Sequence, residues 1–412
     1  MVGVQTGAET RQPSETSLKA LDWANFFLAD VRDGLGPYLS IYLLTAQHWS
    51  AQNIGLAMSI MGISTVVAQT PAGALVDRTS RKRLYSILAS LLIASASLLT
   101  IVLPTFGIII GGQIAMGVAA AWFTPAIAAL TLGLVGHRKF DGRVGRNETF
   151  NHAGNVFAAL MAGLIGYYVS TKGIFVLLAV MSLVSSATIW RIREEDIDHE
   201  LARGCDAKAE GENPKGWQAI LGDRVIILFA LACVLFHFAN AAMLPLLGQR
   251  LAEGNAAGAS SAYMSACIIV AQVVMVPVSN WAGKLAPRGR KQLLLVGFAV
   301  LPIRGILYTL TNHPDLLIAI QVLDGIGAGI FGVMSVLVVA DLTQGSGLFN
   351  TTQGAIATAV GLGASLSNAF AGGIVQRLGY NAAFLALGAI ALVALLVLWF
   401  FVPETNKSDR PL

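Results

Sequence analysis

Charge is scarce in this sequence. Lys, Arg, Asp and Glu together make up 12% of its 412 residues, whereas a soluble domain needs about 25% to stay in solution. Cysteine is scarcer still. Cys205, Cys233 and Cys267 are scattered, two of them inside apolar runs, so neither a disulfide framework nor a CxxC metal site is expected. The six histidines stand at 48, 137, 152, 199, 237 and 313, too dispersed for the paired His-x-x-x-His of a membrane enzyme. No GxxxxGK[ST] run occurs and no soluble stretch is large enough to hold a nucleotide, so neither hydrolysis-driven work nor a cofactor is expected. The first 20 residues have no apolar core before Leu21, so no cleavable signal peptide is expected. The net charge of +4 is mild and sits in short loops, which points away from nucleic acid as a partner.

What is present is apolar surface. Hydrophobic residues make up 55% of the chain and the mean hydropathy is +0.67. A membrane helix needs roughly 20 mostly apolar residues to cross about 30 Å of hydrocarbon. Twelve such runs lie near 22–46, 51–76, 84–104, 107–135, 148–170, 173–191, 224–248, 258–284, 291–311, 314–341, 347–376 and 380–402. The 43 glycines suit helices that pack backbone to backbone in lipid. The expected fold is an all-α integral membrane protein of two six-helix halves, 21–191 and 223–402. A 1–20 tail, a charged 192–222 linker with a short surface helix near Trp217, and a 403–412 tail complete it.

Basic residues orient this layout. With the N-terminus cytoplasmic, the inner segments collect Arg11, Lys19, Arg78–Arg83, Arg138–Arg146, Arg191–Arg224, Lys284–Lys291, Lys407 and Arg410. Outer loops keep only Lys172, Arg250 and Arg377. Both termini and the linker are therefore expected in the cytoplasm, in an inner or plasma membrane. The halves also repeat. GALVDRTSRKRL (73–84) matches GKLAPRGRKQLL (283–294), QIAMGVAAA (113–121) matches QVLDGIGAG (321–329), and Pro37 matches Pro245. All three pairs are offset by about half the chain, as in transporters that bind solute between two repeats.

A few polar groups lie deep in the apolar runs, where an ionisable side chain costs at least about 2.5–3.5 kcal/mol and so needs a cavity or a partner. The first run carries Asp30, Arg32 and Asp33, roughly 12–17 Å from its start at about 1.5 Å per residue. Asp30 and Asp33 share a face, and Gly34, Gly36 and Pro37 invite a kink just beyond. Carboxylates beside an arginine can exchange a proton when their surroundings change, so all three are candidates for proton coupling. The alternative is a neutralised structural cluster. Asp324 is a candidate partner for Arg32 or for a cationic solute, with a structural salt bridge as its alternative. Gln113, Trp122, His237 and Asn240 are further cavity candidates, Trp122 and His237 having packing or local hydrogen bonding as alternatives. Arg304 is read as structural. Glu148 and His152, four residues apart, are expected at a cytoplasmic gate rather than as a metal pair.

Two segments resemble the major facilitator superfamily. Gly73, Leu75, Asp77, Arg78, Ser80, Arg81 and Lys82 follow that family's signature between the second and third helices, with Ser80 where glycine is usual. Gln113, Met116 and Gly117 stand at three positions of the fourth-helix signature of its proton-coupled members, but without the arginine. The fifth-helix Gly-Pro signature of drug antiporters is missing, since Gly154, Gly163 and Gly166 have no proline beside them. The resemblance implies a twelve-helix transporter whose central cavity is lined by helices 1, 4, 7 and 10. Asp77, Arg78, Arg81 and Lys82 then form a cytoplasmic latch. The expected function is proton-coupled export of a small organic compound by alternating access. Uptake of an organic anion held by Arg32 and a non-transporting sensor are the alternatives. Expected partners are a small molecule, protons or another coupling ion, and the lipid bilayer, with the chain acting as a monomer.

Overall fold

The computed structural model describes residues 13–31, 36–203, 222–254, 257–343 and 349–406, and every regular element among them is helical. The helices are α1 (Glu15–Leu28), α2 (Gly36–Thr45), α3 (Ala51–Arg78), α4 (Lys82–Val102), α5 (Phe106–Tyr168), α6 (Thr171–Trp190) and α7 (Arg224–Ala241). They continue with α8 (Met243–Gly254), α9 (Ala257–Leu285), α10 (Arg290–Leu310), α11 (Pro314–Ala319), α12 (Gln321–Leu342) and α13 (Phe349–Phe401). Starts are set by side-chain caps, which satisfy first-turn N–H groups that have no partner inside the helix. Ser14, Ser50, Thr105, Ser170 and Asp223 each accept such a bond, for α1, α3, α5, α6 and α7.

At 63 and 53 residues, α5 and α13 are far longer than a bilayer is thick. Each holds two spans. Gly136 (φ 67°) and Gly379 (φ 80°) turn the chain between them in a backbone conformation open mainly to glycine. The 136–147 stretch, expected as a loop, is therefore largely helical. Nine described stretches are long and apolar enough to cross a membrane, and the one over Thr352–Phe401 covers two spans. Counting it twice and adding the broken α1–α2 and the second part of α5 gives twelve, consistent with six spans in each half. The first and seventh spans are both interrupted, α1 giving way to a turn at 29–31 and α7 to one at Ala242, and the sequence places Pro37 and Pro245 nearby. The surface helix expected near Trp217 lies outside the described residues.

Leu88, Val102, Leu310, Trp399 and Phe400 are among the large apolar side chains left exposed. Backbone groups are satisfied within the helices, so such an apolar exterior suits hydrocarbon rather than water. The chain is an integral membrane protein. Between the halves, α3 packs on α13, α5 on α9, and α2 on α8.

Candidate substrate cavity

The seam between the halves differs at its two ends. One end carries the described termini, where Ser14 bonds Asp196 and Asn406 bonds Pro287. At the far end the helices touch backbone to backbone. A side chain on Gly55 of α3 would overlap the Asn368 carbonyl of α13, and one on Gly372 would come within 2.5 Å of the Ala51 carbonyl. Across α5 and α9, a Cβ on Gly258 would lie 3.0 Å from the Gly166 carbonyl, and one on Gly163 would meet the Ser265 hydroxyl at 2.5 Å. Among the described residues, three hydrogen bonds cross here. Tyr38 and Ser265 share one of 2.8 Å, Ser40 donates to the Pro245 carbonyl at 3.2 Å, and the Ala369 N–H donates to Ser59 at 2.8 Å. Toward the termini end a β-carbon on Gly73, Gly283 or Gly354 would meet nothing within 4 Å.

Beneath this seal lies a cavity of about 340 Å³. Met58, Met61, Thr65 and Gln69 of α3 and Gly361, Ala364, Ser365 and Asn368 of α13 form facing walls. Gly36, Leu39, Gln113 and Ala241 also line it. No described lining residue is charged. The small residues let the opposed helices approach, and their β-carbons and thioethers supply apolar wall between a few amides and hydroxyls.

The predicted residues fall in four places. Gln113 lines the cavity and is 2% exposed. Asp30 is half-buried and partnered, while Arg32 and Asp33 lie outside the described residues. Trp122 is inside the first half rather than on the cavity: its indole N–H donates to Ser86 at 2.9 Å and its ring lies 5.3 Å from Tyr85. His237 contacts the Cys233 carbonyl one turn back at 3.1 Å and packs on Phe331. Asn240 and Asp324 are both bound to Arg304, Asp324 by an ion pair and Asn240 by a 2.6 Å hydrogen bond. Asp324 thus meets an arginine of its own half. Hydrocarbon explains the match: two opposite charges at similar depth on neighbouring α10 and α12 are cheapest together.

At the termini end, Arg78 and Arg81 are exposed, and the Asp77 side chain lies outside the described residues. Lys82 is fully buried and donates to the Thr79 carbonyl at 2.8 Å. It is Arg83 that reaches across, to Glu194 at 2.8 Å and to the Trp190 carbonyl. Glu148 and His152 line a second cleft of about 510 Å³, between α5 and α9, with Gln272 and Pro277 opposite. Among the described residues no cluster of three metal-ligating side chains occurs.

Several structural groups escaped the sequence reading. Asp22, 3% exposed, is gripped by Arg143 at 2.7 Å and Arg146 at 2.8 Å, tying α1 to α5. Glu404 accepts from the first N–H groups of α10, at Arg290 and Lys291, both at 3.0 Å. Burial pushes the Glu404 carboxyl up, but the Asn406, Arg290 and Lys291 N–H groups outweigh it and hold it below the usual carboxylate range. Asp196 behaves alike: burial opposes its charge, and hydrogen bonds from Ser14 and Ser17 more than compensate. The repeat offers a signal for these two, since both carboxylates follow the last span of a half.

With this geometry in hand, comparisons with known proteins agree. The family model described as Major Facilitator Superfamily matches residues 21–351 and 281–411. An uncharacterized MFS-type transporter of Mycobacterium tuberculosis is 49% identical over 398 residues, covering 95% of this chain and 94% of that protein. Among solved structures, a bacterial homologue of the human lysosomal transporter Spinster, inward-facing and unoccupied, superposes with a TM-score of 0.77. It is 14% identical and covers 93% of this chain and 95% of that one. A D-xylose-proton symporter gives 0.72 at 13% identity, covering 95% and 98%. At such identities the structures speak for the fold alone, and the family rests on the sequence matches. The chain belongs to the Major Facilitator Superfamily and is a membrane transporter rather than an enzyme.

Proposed function

We propose that the chain exports a small organic compound by alternating access, driven by protons, as a monomer with both termini in the cytoplasm. The carrying observation is the asymmetric seam. A cavity sealed at one end by backbone contact and open at the other is one of the two states that alternating access requires. The basic residues make the open end the cytoplasmic one, and a neighbour of the same fold is described as inward-facing. Protons are the simplest source of energy for a chain with no nucleotide site, and another neighbour is by name a proton symporter. Asp30 or Asp33 carries the proton in this reading. Arg32 holds the acid ionised until solute or a moving helix draws the arginine away.

Reconstituted flux with and without a pH gradient tests this. Asp30→Asn or Asp33→Asn is expected to abolish gradient-driven accumulation while leaving downhill exchange partly intact. Full accumulation in both variants would make the cluster structural. Cysteines at Ser50 and Asn312 are expected to label from outside, and one at Ala207 only after permeabilisation.

A further inference from the structure

We infer that the cleft between α5 and α9 binds a protonated amine carried on an apolar body, with the Glu148 carboxylate as its counter-ion. The site is separate from the central cavity and depends on neither the direction nor the energy source of transport.

Depth comes first. The second span of α5 ends at Tyr167 and Tyr168, both exposed. Between Glu148 and Tyr168 the helix rises about 30 Å at about 1.5 Å per residue, the thickness of the hydrocarbon. At the Glu148 end Trp23 is half exposed, its ring lies 6.0 Å from Phe150, and Arg146 sits over Phe150 at 5.4 Å. Aromatic side chains gather at both membrane interfaces, so Glu148 lies at the level of the headgroups. His152 and Val156 lie one and two turns deeper.

The two walls of the cleft differ. On α5, Glu148 and His152 stand four residues apart on one face, and Glu148 is exposed. On α9 the wall carries Pro277 with Val273 and Val276, both more than half exposed. The arginines beside Glu148 are already engaged. Arg143 and Arg146 grip Asp22 on the α1 side, at 2.7 and 2.8 Å. The carboxylate does not cap a helix either, since α5 is helical on both sides of it. Closing the cleft as a gate would bring Glu148 against valine and proline, which strips water from a charge without pairing it.

An ammonium supplies the missing partner. It donates up to three hydrogen bonds, and an ionised carboxylate only accepts. With the head at Glu148, the apolar body of the ligand lies against Val273 and Val276 and leaves water. The volume of about 510 Å³ suits a ligand of drug size.

The test uses the full chain in phosphatidylcholine nanodiscs with a reporter thiol on the apolar wall, Val273→Cys, in a Cys205→Ser background. Native Cys233 and Cys267 are fully buried. Three probes of one size are compared for protection of the thiol from a neutral methanethiosulfonate: 1-naphthylmethylammonium, 1-naphthylmethanol and 1-naphthoate. The ammonium is expected to protect at the lowest concentration and the naphthoate at the highest. Glu148→Gln is expected to raise the half-protecting concentration of the ammonium about tenfold, the low end for a hydrogen bond to a charged group. That of the alcohol is expected to stay unchanged. Membrane partitioning is the same in both proteins and cancels from this ratio. Glu148→Asp, which keeps the charge, is expected to lose less. Phosphatidylethanolamine in the nanodiscs separates two sources of amine. Competition with the ammonium in the parent but not in Glu148→Gln makes the occupant a lipid headgroup, and no competition makes it a free amine. Both results keep Glu148 as the counter-ion. Equal protection by ammonium and alcohol in the parent, or an unchanged ammonium value in Glu148→Gln, would overturn the inference. So would an equal loss for all three probes, which marks a change of shape and not of charge.

Discussion

The interior of each half and the seam between them are built from different chemistry. Among the described residues, no ion pair joins the two halves. Asp22 meets Arg143 and Arg146, Arg83 meets Glu194, Arg290 meets Asp341, and Arg304 meets Asp324. The sealed end of the seam is glycine, serine, tyrosine and backbone carbonyl. Charged partners buried in hydrocarbon are costly to separate, whereas van der Waals contacts and a few neutral hydrogen bonds are not. The halves are thus fixed internally and only lightly joined, the combination a rigid-body rocking motion needs.

The contrast predicts different failures for changes on its two sides. The largest belongs to the interior. Arg304→Met leaves Asp324 beside an empty space, a loss of about 3–5 kcal/mol for one buried partner. Its melting temperature in detergent is expected to fall steeply, and adding Asp324→Asn is expected to recover most of the fall. A single variant as stable as the double would mean that the pair is not buried charge.

A seam change is expected to act on function first. Gly55→Ala places a methyl against the Asn368 carbonyl, an overpacking of about 1–3 kcal/mol. Moving the halves apart at that end relieves it. The conformational balance is therefore expected to shift by roughly 5- to 150-fold, with transport reduced to match and the melting temperature little changed. A large drop in melting temperature with normal flux in the remaining folded protein would erase the distinction between seam and interior.

The smallest effect concerns pH. Glu404 has its carboxyl held below the ordinary range in the folded protein, so it binds its proton more weakly there than in the unfolded chain. Its contribution is present above the unfolded carboxylate value and is lost as pH falls through the lower, folded one. Amide exchange at Arg290 and Lys291 is expected to accelerate as acid protonates Glu404, beyond the intrinsic change. In Glu404→Gln that acid step should disappear.

The sequence makes some of this legible and some not. Apolar runs announce the spans because no other solvent tolerates them, and the offset repeat announces the two halves. Pro37 and Pro245 lie close to where the first and seventh spans break. Pairings are harder. Asp324 and Arg304 are twenty residues apart on different helices, and depth alone made Arg32 an equal partner. Trp122 sits in a helix expected to line the cavity, yet faces Ser86, because a span's rotation is set by packing and not by its hydropathy. The seam was the least visible. Glycines at 55, 163, 166, 258 and 372 look like any of the 43 until facing carbonyls are placed against them.

Paired spin labels at both ends of one helix pair test the central claim most directly. One pair, Gln52→Cys with Arg377→Cys, reports the sealed end of α3 and α13. The other, Ala74→Cys with Gly354→Cys, reports the open end. Double electron–electron resonance on the full chain in nanodiscs, across pH and with added solute, is expected to show two populations at each end that exchange in opposition. As the 52–377 distance lengthens, the 74–354 distance should shorten. A single unchanging distance at both ends, or two distances that lengthen together, would contradict alternating access about this seam.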